Sequence, residues 1–207
     1  MKRTMTSRFL LLLAAAGATL HATAAPAPVP NKTALGTALA RYLADRGQLC
    51  VGKYDWPITV TPQDIESGQR NAVQLPAMEQ AGLVQATPGD DGAVTYRLSA
   101  AGSKYYWPRT VNRRDGKPGE MAVHDVCAGR LMLEQVVRWT APMRVGDNYE
   151  STVTYTYTIA PAAWTADPRL QQVFPMIARV IKGQHTAQLA QRMRFAGGRW
   201  EAVTAVE

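Results

Sequence analysis

Apolar residues recur along this chain with two different periods, and the change of period divides it. The first half is helical in spacing. Leu35, Leu39 and Tyr42-Leu43 predict a helix near Thr33 to Arg46, stopped by Gly47. Trp56 to Val60 is a short strand candidate. Thr61-Pro62 joins an N-cap to an N1 proline and opens a short helix through Ile65. A second helix is expected from about Asn71 to Ala81, with Val73, Leu75 and Met78 as its apolar side. Pro76 falls inside it or marks its true start. Leu83 to Ala86 and Ala93 to Leu98 flank the turn PGDDG and predict a hairpin, after which Ser99 caps a short helix, AAGSKYY.

The second half alternates with the period of a strand. Glu120 to Cys127, Arg130 to Trp139, Tyr149 to Ile159, Gln184 to Phe195 and Trp200 to Val203 are the strand candidates. In the third, Tyr149, Val153, Tyr155, Tyr157 and Ile159 share one face, and Glu150 with Thr152, Thr154, Thr156 and Thr158 share the other. Leu131, Leu133, Val137 and Trp139 are the expected apolar face of the second strand, and Leu189, Met193 and Phe195 that of the fourth. An antiparallel sheet with one wet face follows. Asp167-Pro168 repeats the N-cap and N1-proline signal. It opens a helix whose stripe is Leu170, Val173, Phe174, Ile177, Val180 and Ile181, with Gly183 as its stop and Pro175 as a kink or split.

Residues 71 to 106, with LPAMEQAGLV, VTYRLS and AAGSKYY in helix, strand, turn, strand, helix order, resemble the second half of a winged-helix module. That resemblance implies a scaffold for interaction. Where winged helices read DNA they present a basic wing; here the tip carries Asp90 and Asp91, and the helix offers only Arg70, Asn71 and Gln74. Nucleic acid is therefore not an expected partner. The expected class is α+β: a winged-helix-like part at 33–108, a basic linker at 109–119, and an antiparallel sheet (β-β-β-α-β-β) at 120–207 with one helix on its apolar face.

Before this body, residues 1–24 have the form of a secretory signal peptide. Lys2, Arg3 and Arg8 precede an apolar run from Phe9 to Leu20, and Ala22-Thr23-Ala24 supplies the small-residue cleavage pattern. Residues 25–32 form an Ala/Pro leader. The whole chain resembles an exported bacterial protein, periplasmic or secreted, with no transmembrane segment expected once the signal is cleaved. Loss of the three basic residues of the signal reduces the formal charge from +7 to +4, a mild excess that suits weak contact with an anionic surface. An apolar fraction of 46% with 19% charged residues describes a folded chain.

Export changes the reading of the two cysteines. In an oxidising compartment Cys50 and Cys127 form a disulfide, tying the helical part to the sheet. His124 lies three residues from Cys127 and points to the opposite face of a strand, while His185 reaches it only by a favourable strand order. No metal-ligand pair, cofactor motif or nucleophile signature is present, so no catalytic residue, metal or cofactor is assigned. Glu150 is expected beside Arg138 as a cross-strand ion pair. Two basic groupings are candidates for an anionic partner: Arg109, Arg113, Arg114 and Lys117 in the linker, and Arg192 and Arg194 in the fourth strand together with Arg179 and Lys182 of the helix before it. Tyr105, Tyr106 and Trp107 are candidates for a groove at the junction of the halves. These features favour a non-enzymatic exported protein that binds another envelope or secreted macromolecule. A small cell-envelope hydrolase with its site at the junction, and an inhibitor or immunity-type protein using loop 109–119 or 141–148, are the alternatives.

Overall fold

The computed structural model describes residues 27–113, 117 and 119–204. The signal-peptide reading and Arg114 lie outside the described residues. The first helix, α1 (Lys32–Arg46), begins where the Asn31 side chain accepts the Ala34 N–H at 2.8 Å. It buries Leu35, Ala38, Leu39 and Leu43 on one side. Gly47 is its C-cap, donating its N–H to the Leu43 carbonyl, and a β-carbon there would collide with the carbonyl oxygens of Leu43 and Leu131. The chain then enters β1 (Gln48–Cys50).

The large antiparallel sheet comprises β1 and six further strands. These are β5 (Tyr106–Asn112), β6 (Glu120–Trp139), β7 (Met143–Val145), β8 (Asn148–Ile159), β9 (Leu189–Ala196) and β10 (Arg199–Ala202). Its order is β1-β6-β8-β9-β10, with β5 also paired to β6 and β7 to β8. Two expected strands, 120–127 and 130–139, are thus one strand of 20 residues. The expected linker shortens as well, since Arg109 to Asn112 pair with β6. The apolar face expected of β8 is buried at Val153, Tyr155, Tyr157 and Ile159, but the expected wet face is not uniformly wet: Glu150 and Thr156 are buried as well.

Two expectations about this sheet are corrected. Val137 and Trp139 are exposed, and Val136 is buried instead. Register shifts between Leu133 and Gln135 and between Val136 and Arg138 each insert a residue, so Leu133, Val136 and Trp139 stand opposite Tyr157, Tyr155 and Val153. A strict period of two cannot survive these bulges. Second, the dry face is covered mainly by α1, whose Leu35, Leu39 and Leu43 meet Val136, Val153, Tyr155, Met193 and Trp200. The helical stripe at 168–182 contributes Val180 there and otherwise faces elsewhere. An apolar stripe specifies that a face is buried without naming its partner.

That partner is a second core. β2 (Ile58–Val60), α2 (Pro62–Glu66), α3 (Arg70–Gln80), β3 (Val84–Pro88), β4 (Val94–Leu98) and α4 (Ala100–Ser103) build a small unit with strand order β2-β4-β3. Thr61 and Asp64 cap α2 reciprocally. Pro76 lies within α3 and does not start it. The later helices, α5 (Pro168–Val173) and α6 (Pro175–Lys182), are separated at Phe174 as Pro175 predicts. Leu170, Phe174 and Ile177 join Leu75, Met78, Leu83 and Val84 there. Val126 and Ala128 of β6 belong to this same core, so one long strand passes through both.

Candidate functional site

The Cys50–Cys127 disulfide is present, between registered residues of β1 and β6 with α-carbons 3.8 Å apart. Just beyond it the chain bends, and Gly52 takes a positive φ of 80°, a conformation open to glycine. This bend aims two consecutive backbone N–H groups at Asp125, the fully buried β6 carboxylate. Gly52 donates to both oxygens at 3.0 and 3.1 Å, and Lys53 N–H donates to Oδ1 at 2.9 Å. Arg109 reaches in from β5 and donates from Nη1 to Oδ2 at 3.2 Å. Burial pushes the Asp125 carboxyl above the usual aspartate range, opposed by the backbone donors and Arg109.

Lys53 extends this cluster across the junction. Only 4% of it is exposed, and its Nζ donates to Asn71 Oδ1 of α3 at 2.5 Å. Burial, reinforced by Arg70, brings its pKa down to about 8. Asp125, Arg109, Lys53 and Asn71 therefore bind the large sheet to the small unit by polar contacts beside a covalent one. The sequence pattern singled out neither Asp125 nor Lys53 as part of a site, and pointed to Asn71 only as a polar residue of the winged-helix-like part. The signal was available as an aspartate set among apolar residues of a strand, in VHDVCA.

The other candidates disperse. Arg113 lines an open hollow of about 460 Å³ together with Arg46, Arg109, Glu120, Tyr42 and Tyr54. Arg46 is already bidentate to Glu120, at 2.8 and 2.6 Å, with its Nε on Asp45. Lys117 is exposed. Arg192 and Arg194, on β9, approach Glu150 at 3.6 and 3.0 Å. That replaces the expected Glu150–Arg138 pair; register sets Arg138 opposite Thr154 and Glu150 opposite Arg194, and Arg138 instead donates to Gln188 at 2.8 Å. The aromatic trio is half-buried, with Tyr105 and Tyr106 against the second core and Trp107 outside it. Tyr106 donates to the Tyr54 carbonyl and stands 5.3 Å from the His124 ring, Trp107 Nε1 donates to the Lys104 carbonyl at 3.0 Å, and Tyr105 packs on the second core.

Among the described residues neither histidine is paired with a free thiol. Cys127 is bonded to Cys50, His124 stacks on Tyr106, and exposed His185 meets Glu134 at 2.7 Å. Among the described residues no group of three or more His, Cys, Asp or Glu side chains could hold a metal ion, and no helix is long and apolar enough to cross a membrane.

The outward face of the sheet is different in character. Thr152, Thr154 and Thr158 run along β8, with Arg192 opposite Thr152 on β9 and Met132 opposite Thr158 on β6. Met132 and its strand neighbour Val137 are both exposed. Comparison of the chain with family models, with curated proteins and with solved structures finds no match.

Proposed function

We propose that this is an exported interaction protein that holds a macromolecular partner of the envelope or extracellular space on the outward face of its large sheet. The observation that carries this reading is the exposure of Met132 and Val137 beside the Thr152–Thr158 row and the Arg192–Glu150–Arg194 cluster. Large apolar side chains exposed next to a flat polar row, with charged groups fixed at one side, have the core-and-rim make-up of a recognition surface. The strand supplies rigidity, so little ordering cost opposes association.

Export rests on the form of residues 1–24 and is supported by the disulfide, a bond that persists in oxidising compartments. The small unit is, in this reading, a winged-helix-like scaffold. The succession α3, β3, turn, β4, α4 supports the resemblance, and exposed Asp90 and Asp91 at its turn disfavour a polyanion. Its role is to brace the sheet through the Asp125–Lys53–Asn71 contacts and the shared core.

A photo-crosslinking amino acid placed at Thr154 in the exporting host tests this. A discrete adduct is expected from Thr154 and none from Gln85, an exposed position on β3. Adducts from Gln85 alone, or from neither, would sink the proposal.

A further inference from the structure

Two adjoining hollows, of about 460 and 410 Å³, lie where the chain passes from the disulfide to the small unit. Gly52, Lys53, Thr59 and Asn71 line both, so together they form one cleft between residues 52–59 and the start of α3. Lys53 is its most buried wall, only 4% exposed, and Arg70 stands exposed on the side of the smaller hollow.

The side chains that meet here are rich in donors and short of acceptors. An ammonium carries three N–H groups and accepts nothing; Lys53 spends one of them on Asn71 Oδ1, at 2.5 Å. That contact turns the Asn71 oxygen toward Lys53 and leaves its amide N–H groups for the cleft. The Arg70 guanidinium has no acceptor among the described residues. No carboxylate among them stands at ion-pair distance from either cation. Asp125 is taken by Arg109 and by the backbone of Gly52 and Lys53, and Asp64, in the wall of the smaller hollow, by Thr61. Burial and then Arg70 push the Lys53 pKa down, opposed by Asp125. Two neighbouring positive charges therefore lack a counter-charge between them.

An anion in the cleft would supply that charge and the missing acceptors together. Three donor groups carried on two segments of chain match a tetrahedral oxyanion better than a planar carboxylate, which offers two oxygens. Asp55 and Asp64, at the outer walls, oppose a polyanion and restrict the cleft to a small ligand. We propose that this cleft binds a phosphate group, free or as the monoester of a small molecule, between Lys53, Arg70 and Asn71. The site goes beyond partner binding and uses none of the residues of the outward sheet face.

Isothermal titration calorimetry of the exported protein at neutral pH, with inorganic phosphate in one arm and glycerol phosphate in the other, tests this. Saturable one-to-one binding is expected. Tighter binding of glycerol phosphate assigns the site to monoesters, and equal or weaker binding assigns it to the free ion. A lost charge-assisted hydrogen bond corresponds to about ten-fold or more, so Arg70→Gln and Lys53→Met should each weaken binding at least about ten-fold. Arg41→Gln, at an exposed position of α1, should leave it unchanged. Circular dichroism should be the same for all, and the exposed Arg70→Gln change carries the test if Lys53→Met misfolds. No saturable binding of either ligand, full affinity in the folded Arg70→Gln variant, or equal weakening by Arg41→Gln overturns the inference. None of these results bears on the Thr154 crosslink, and loss of that crosslink leaves phosphate binding standing.

Discussion

Lys53 makes stability at the junction depend on alkaline pH in a way that one substitution isolates. Its ammonium is buried and its pKa falls to about 8, against about 10.4 for an unperturbed lysine. Below pH 8 the group is charged in folded and unfolded chains alike, and the folded chain bears the full cost of burying it. Between about 8 and 10.4 the folded chain sheds the proton while the unfolded chain keeps it, so stability rises with pH. The displacement corresponds to about 3 kcal/mol. Lys53→Met keeps most of the volume and removes the titration, at the expense of the Asn71 hydrogen bond, worth about 1.5–3 kcal/mol while the donor is charged. The two changes nearly offset at neutral pH. Urea unfolding with the disulfide intact, from about pH 7 to about pH 10.5, should show the natural protein gaining about 3 kcal/mol relative to the variant. Other titrations, such as that of Tyr155, pushed up to about 12 by burial, are common to both proteins. A difference constant to within about 0.5 kcal/mol across that range would refute the account of Lys53.

Two further outcomes test the same junction. Asp125→Ala leaves Arg109 and the backbone N–H groups of Gly52 and Lys53 without their acceptor, and should destabilise by about 3–5 kcal/mol in denaturant titration, with Asp125→Asn milder. Replacing Cys50 and Cys127 together by serine opens a cross-link spanning 77 residues and should cost about 4 kcal/mol in the chain-entropy description, read as a lowered urea midpoint.

The parts of this fold that the chain announces are those fixed by local chemistry. Thr61-Pro62 and Asp167-Pro168 open helices where they stand, Pro175 splits the helix that contains it, and PGDDG joins two strands. The cysteine pairing followed from parity and compartment. What stayed hidden depends on neighbours distant in sequence. Bulges moved Val136 inward and Val137 outward, and no alternation rule locates a bulge beforehand. The stripes of α1 and α5–α6 were both visible, yet each packs where the other was expected, because burial of a stripe is non-directional. Asp125 was hidden for the same reason: its backbone donors come from a glycine bend about 73 residues away, and Arg109 reaches it from the paired strand β5, a combination that no spacing encodes. The outward sheet face lay half in view, since the threonine alternation was plain while the exposure of Met132 depends on strand order.

Packing of α1 against β10 sets an order on how the molecule can be completed. Leu35 and Leu39 share a core with Trp200, so contacts closing that core join opposite ends of the described chain. High contact order of this kind makes folding slow and leaves earlier segments uncovered until later ones arrive. Until β10 is in place, Leu35 and Leu39 of α1 lack the wall that Trp200 supplies, so this helix is sheltered completely only when that strand docks.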